Sequence, residues 1–244
     1  MKKPIYFISD VHFYLIKSEQ ENKKLQKVSN LFDTIIVNQG TLIIVGDFFD
    51  FWLEHKESIP RHYFHILCKL SKMTQSGCEV HYVAGNHDFW LSDFITDELG
   101  IQIHLEPMKT IIDERKFYIA HGDGINPKDK GYHFLKKVLR NKFIKKLAPM
   151  ISPALAYYIA RRISHSSRKF DRKDPDFIAF EHSTMKNFYQ EKFNEGFDYV
   201  ILGHYHTPEF TKENGHIFMN CGDWLENFSF GILDNELKLE FWKE

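Results

Sequence analysis

With 244 residues and 43% hydrophobic content, the chain has material for one large α/β domain, or for a core domain carrying an inserted subdomain. A formal net charge of -1 says little alone, because it averages a strong internal asymmetry. Three cysteines (Cys68, Cys78, Cys221) without a Cys-x-x-Cys pair argue against a disulfide framework or a thiolate zinc site. No apolar stretch approaches the roughly 20 residues that span a bilayer. The start, MKKPIYFISD, lacks a signal-peptide pattern, so the expectation is a reduced, cytoplasmic protein.

Taken in order, the first apolar run, Ile5–Ser9, leads into Asp10. Leu25, Val28, Leu31, Phe32 and Ile35 recur at helical spacing and predict a helix over Glu21–Asn38. Leu42–Val45 then leads into Gly46-Asp47, and a second helical pattern covers Arg61–Ser76. Val80–Ala84 leads into Gly85-Asn86, Phe117–Ala120 into His121, and Tyr199–Leu202 into Gly203-His204. Short continuous β-rich runs bounded by Gly or a polar residue predict strands covered on both faces. Their alternation with helices predicts a layered α/β fold with right-handed crossovers. Ile217–Asn220, Phe228–Leu233 and Leu237–Trp242 predict a closing β-meander. There is no internal repeat.

In open α/β sheets ligands bind beyond the carboxyl ends of the strands. Here those positions hold Asp10, His12, Asp47, Asn86, His121, His204 and His206, all oxygen or imidazole donors. Such a set suits manganese, iron, zinc or magnesium rather than copper(I) or iron–sulfur clusters. Asp10-x-His12 and His204-x-His206 have period-two spacing, which puts both side chains on one side of an extended segment. Seven donors exceed the needs of one small ion with an open site. They fit two ions about 3.5–4 Å apart sharing a carboxylate, which serves in-line attack at phosphorus. A single His out of fourteen is more often a surface or core residue than a ligand; the seven together are not explained that way. His55, His62, His65, His81, His104, His133 and His216 follow no such pattern and read as structural.

The blocks Asp10-x-His12, Gly46-Asp47-Phe48-Phe49-Asp50, Gly85-Asn86-His87-Asp88, His121-Gly122-Asp123 and Gly203-His204-Tyr205-His206 resemble, in order, those of the calcineurin-like metallophosphoesterases. The resemblance implies a four-layer αββα sandwich formed by residues 1–244, with a dinuclear site at one edge. It implies that Asp10, His12 and His206 hold one ion and that Asn86, His121 and His204 hold the other. Asp47 would bridge the two, and His87 would contact the scissile phosphate and assist the leaving group. Within that superfamily the chain is most similar to the UDP-2,3-diacylglucosamine hydrolases of lipid A synthesis, including Phe48–Trp52 and a helical insertion after His121-Gly122-Asp123. That likeness implies two divalent ions, manganese first, and a Gram-negative inner-membrane setting. The implied products are UMP and 2,3-diacylglucosamine 1-phosphate. Asn86, His87, Asp129, Tyr132, Ser166, Lys173 and His204 would approach the substrate. Two departures stand out: proteobacterial members carry Gly-Asn-Arg-Asp where this chain has His87, and Gly-His-Thr-His where it has Tyr205.

The insertion, placed at residues 128–185, also has a reading of its own. From Lys128 to Lys173 there are fourteen Lys or Arg against two acids. Phe134, Leu135, Val138, Leu139, Phe143, Ile144 and Leu147 interleave with Lys136, Lys137, Arg140, Lys142, Lys145 and Lys146, the pattern of a basic amphipathic helix. A second apolar stretch, Ile151–Ile163, follows it. An anionic membrane surface, a helical pair packed on the core with a solvated basic face, and a nucleic-acid backbone would each account for the charge. Most of the 23 Phe read as core, and Cys221 as a small buried residue in a turn at Asn220–Trp224 near the metals. Three functions stay open at this stage: a lipid-nucleotide diphosphatase, another phosphodiesterase or nuclease on the same site, and a non-catalytic scaffold. No obligate protein partner is evident.

Overall fold

The computed structural model describes residues 1–55, 58–128, 130–139, 141, 152, 155, 158 and 175–243. Among these, β1 (Ile5–Ile8), β2 (Thr41–Val45), β3 (Glu79–Val83) and β4 (Gln102–His104) are parallel neighbours in a six-stranded sheet. That sheet is completed beside β1 by the antiparallel pair β10 (Ser229–Leu233) and β11 (Leu237–Phe241). The second sheet has the order β5-β6-β7-β9-β8, built from β5 (Met108–Ile112), β6 (Arg115–Ile119), β7 (Tyr199–Leu202), β8 (Glu209–Glu213) and β9 (His216–Asn220). In it β6, β7 and β9 run parallel.

Helix α1 (Glu19–Val37) starts at Ser18, whose side chain accepts from the Glu21 N–H, with Glu19 and Glu21 in the positive first turn. Its buried stripe Val28, Leu31, Phe32 and Ile35 packs with α2 (Phe64–Gln75) on the outer face of the first sheet, against Tyr6, Ile8, Leu42 and Ile44. The opposite face presents Ile5, Phe7, Ile43, Val45 and Val83 to Phe117, Ile119, Ile201 and Met219 of the second sheet. Beyond that sheet, Met185 and Tyr189 of α4 (Pro175–Asn194) cover Tyr118, Val200, Leu202 and Phe218. The four layers are helix, sheet, sheet and helix, the expected αββα sandwich. Alternate residues of each parallel strand face different layers, and for that reason the strands read as unbroken apolar runs.

The closing meander is corrected. β9 lies in the second sheet between β7 and β8, whereas β10 and β11 belong to the first. The connection from Asn220 to Ser229 therefore crosses from one sheet to the other, past the edge where β1, β2, β3, β6 and β7 end. The helical pattern over Arg61–Ser76 resolves into a 3-10 turn, Arg61–Tyr63, followed by α2. Of the insertion, α3 (Lys130–Leu139) is described, together with the start of α4. Most of Ile151–Ile163 lies outside the described residues, as do Asp129, Ser166 and Lys173. No described helix is long and apolar enough to cross a membrane.

Candidate metal centre

All seven expected donors, with His87, come together at the shared carboxyl edge of the two sheets. Three groups each have ligand atoms within 4.8 Å of one another: Asp10–His12–His206, His12–Asp47–His87 and Asp47–His121–His204. Asn86 joins the last through its Oδ1, 3.2 Å from His121 Nε2. Asp47 thus stands between the Asp10 group and the His121 group.

The local backbone is unusual in a way that the donors share. Asp10, His12, Asp47, His204 and His206 all have positive φ, between 44° and 69°. Such a conformation costs a non-glycine residue energy and persists only where surrounding contacts fix it. Here it turns the chain sharply off each strand end, so that the side chains aim inward. The chain also passes very close to itself. A Cβ on Gly203 would collide with Ser9 Oγ and fall 2.7 Å from Asp10 Oδ2, and one on Gly85 would strike the Asp47 side chain and backbone. Glycine at these two positions is a matter of space.

Each central carboxylate has one oxygen committed to the protein. Asp10 Oδ2 accepts from Ser9 Oγ at 2.5 Å and from the His204 N–H at 2.8 Å. Asp47 Oδ1 accepts from the His87 N–H at 2.9 Å. The other oxygens face imidazoles. Asp10 Oδ1 is buried without a hydrogen-bond partner, 3.3 Å from His206 Nε2 and 3.6 Å from His12 Nε2. Asp47 Oδ2 lies 3.2 Å from His121 Nε2 and 3.7 Å from His12 Nε2.

The facing nitrogens are spoken for on their far sides. His121 Nδ1 donates to the Val45 carbonyl at 2.9 Å, and His87 Nδ1 donates to the Asp50 carbonyl at 2.8 Å. In neutral rings this leaves the Nε2 lone pairs pointing at carboxylate and amide oxygens. Lone pairs converging in a buried space require a cation between them. Donor atoms slightly over 3 Å apart suit an ion bound at about 2.0–2.2 Å from each. The residues therefore fit divalent metals.

The same conflict shows in the proton equilibria. Burial would depress His121, but the Asp47 carboxylate overrides it and pushes the ring up to about 10. Burial would raise Asp10 and Asp47, yet His206 holds the first low and His121 the second. Burial together with the charge on His121 takes His204 down to about 4. The cluster seeks positive charge, and a metal ion would displace the proton that supplies it.

Several residues outside the donor set hold the site in place. Asp88 is fully buried, and its carboxylate accepts from the N–H groups of Phe48 (2.8 Å) and Gly85 (2.9 Å) and from Tyr82 Oη (2.5 Å), tying the loop after β2 to the loop after β3. Asp123 accepts from Tyr132 Oη at 2.6 Å and pairs with Lys136 Nζ at 2.5 Å, which clamps α3 to the His121-Gly122-Asp123 turn. Burial would raise Asp123, but His121 and Lys136 bring it to about 2. Cys221 is buried with its thiol pushed up by desolvation, in keeping with a structural role. His81 and His104, read as structural, pair with each other at 3.1 Å.

A family model described as calcineurin-like phosphoesterase matches residues 3–208. Among curated proteins, a UDP-2,3-diacylglucosamine hydrolase of Porphyromonas gingivalis is 26% identical, the alignment covering 96% of this chain and 95% of the relative. One from Neisseria meningitidis serogroup B is 27% identical, covering 93% and 92%. Among solved structures, an archaeal phosphodiesterase covers 97% of this chain and 98% of its own at 16% identity, with a TM-score of 0.45.

Gly203→Ala tests the packing of this edge. The added methyl is expected to cost about 1–3 kcal/mol in denaturant unfolding, as overpacking does, and to weaken divalent-cation binding by calorimetry. Parental stability and affinity in the variant would show that Ser9 and Asp10 are not held as described.

Proposed function

The chain belongs to the calcineurin-like phosphoesterase family and is a metal-dependent hydrolase; from that premise we propose that it cleaves the diphosphate of UDP-2,3-diacylglucosamine. The products are UMP and 2,3-diacylglucosamine 1-phosphate. The observation that carries this reading is the extent of the likeness. Relatives named for that activity align over nearly all of both chains, through the insertion and past the end of the family match.

In this reading Asp10, His12 and His206 hold one divalent cation, Asn86, His121 and His204 the other, and Asp47 both. Manganese suits the mixed carboxylate, amide and imidazole set, which iron, zinc or magnesium would also accept. When bound, two such cations supply an activated water and neutralise charge at phosphorus. The protein's own part is to orient and to exclude. His87 keeps its Nδ1–H on the Asp50 carbonyl, which leaves its Nε2 turned toward the cluster, 3.9 Å from Asp47 Oδ2. Burial opposes protonation of that ring, but Asp47 and Asp50 outweigh it, so it can donate to a phosphoryl oxygen in the transition state. A phosphate leaving group needs less protonation than an alkoxide would.

Two features support a lipid-nucleotide substrate. A cavity of about 820 Å³ adjoins His121-Gly122-Asp123 and is walled by Leu105, Ile125, Phe180 and Phe188, with Lys128 and Lys136 at its polar side. Helix α3 exposes Phe134 (71%) and Val138 (36%) to solvent amid its lysines. Apolar residues flanked by lysine favour an anionic membrane surface, where such a substrate resides. Tyr132, expected to approach the substrate, donates to Asp123 in this structure and so borders the site. The roles of Asp129, Ser166 and Lys173 rest on the family likeness.

Product analysis of purified protein with Mn2+ tests the substrate. UMP should appear from UDP-2,3-diacylglucosamine and not from the deacylated analogue, with cyclic nucleotides and single-stranded DNA poor substrates. Equal rates on acylated and deacylated compounds would sink the lipid reading and leave the phosphoesterase standing. His87→Ala should lower turnover by about 10²–10⁴-fold with both metals retained. A variant that instead loses metal would make His87 a ligand.

A further inference from the structure

We propose that Asp223, beyond the 3–208 family match, is the positioning residue for His206 and thereby sets the affinity of the Asp10–His12–His206 metal site. The inference rests on the metal-centre reading above.

The fold brings Asp223 there for a topological reason. β9 runs parallel to β7, so the chain leaving β9 at Asn220 emerges at the same edge as the His204–His206 turn. The crossing segment is pinned on the site from several directions. The Trp224 N–H donates to the Asp10 carbonyl at 3.2 Å, and Asn227 Nδ2 donates to the His206 carbonyl at 3.0 Å.

Asp223 itself is 4% exposed, and its two oxygens have separate tasks. Oδ1 accepts from the N–H groups of Leu225 (3.1 Å), Glu226 (2.9 Å) and Asn227 (2.9 Å), closing the turn. Oδ2 lies 3.3 Å from His206 Nδ1. A carboxylate has no proton to give, so in a neutral ring the hydrogen sits on Nδ1 and the lone pair on Nε2. That Nε2 faces the orphaned Asp10 Oδ1 at 3.3 Å. A carboxylate behind a metal-ligating histidine fixes the tautomer and the ring orientation, and its loss commonly costs 10–100-fold in metal affinity. His206 depends on such outside support because its own φ of 58° is unfavourable.

Asp223→Asn separates the two tasks. Its amide oxygen can still accept the three backbone N–H groups. Its amide nitrogen, placed against His206, would demand an acceptor at Nδ1 and drive the proton to Nε2, abolishing the lone pair. Ser229→Ala is the matched comparison, since it removes the Ser229 Oγ bond to the Cys221 carbonyl in the same segment without touching His206. Metal-stripped proteins are titrated with Mn2+ by calorimetry and melted in parallel. The parent should bind two Mn2+. Asp223→Asn should melt near the parent but bind one of the two 10–100-fold more weakly, while Ser229→Ala keeps parental affinity. Equal affinities in parent and Asp223→Asn overturn the proposal, as does an equal loss in Ser229→Ala. A parent that binds no divalent cation overturns the metal-centre reading with it. If Asp223→Asn does not fold, nitrogen-15 spectra of the Zn2+-loaded parent decide: a proton on His206 Nδ1 is expected, and one on Nε2 contradicts the assignment.

Discussion

Asp10 and Asp47 are buried carboxylates that each leave one oxygen turned toward imidazole nitrogens. Removing a carboxylate from water is costly, so a buried carboxylate oxygen that accepts no hydrogen bond needs positive charge to meet it. No Lys or Arg forms a described ion pair with either one. The opposing groups are histidines whose other nitrogens are occupied or whose burial disfavours protonation. The cluster is a frame of electron pairs, and what completes it is metal. The left-handed turns at the strand ends, the glycines that let strand ends pass closely, and the polar supports behind each ring are all means of holding that frame together.

The sandwich exists around this edge. Donors from the ends of β1, β2 and β3 must meet donors from the ends of β6 and β7, which belong to a different sheet. Ile5, Phe7, Ile43, Val45 and Val83 against Phe117, Ile119, Ile201 and Met219 set the distance between the sheets. Hydrogen bonds across the gap then set the finer geometry. His121 Nδ1 reaches the Val45 carbonyl, and the His204 N–H reaches Asp10 Oδ2. Burial of apolar area is roughly proportional and undirected, whereas those bonds are directional and decide where each ring points.

Much of this was legible in the residue order. Ile5–Ile8, Thr41–Val45 and Tyr199–Leu202 are buried on both faces, so their apolar runs are unbroken, and a metal donor follows each after one small residue. Strand edges were harder. β5 and β8 alternate partly exposed residues, and their assignment depends on partners far along the chain. Ile217–Asn220 looked continuous with the strands after it because adjacency in sequence suggests a meander; pairing with β7 won instead. Asp88 stands inside a motif block and Asp223 inside the Asn220–Trp224 turn, yet neither position shows locally what its carboxylate holds. Their roles arise from contacts with Phe48 and with His206, 40 and 17 residues away. Lys128–Lys173 announces its charge plainly, but charge alone does not fix what it faces.

Anomalous diffraction from crystals grown with Mn2+ tests the proposed dinuclear centre most directly. Two peaks about 3.5–4 Å apart are expected, one among Asp10, His12 and His206, the other among Asn86, His121 and His204, with Asp47 touching both. A single peak, or manganese bound away from Asp47, would contradict it.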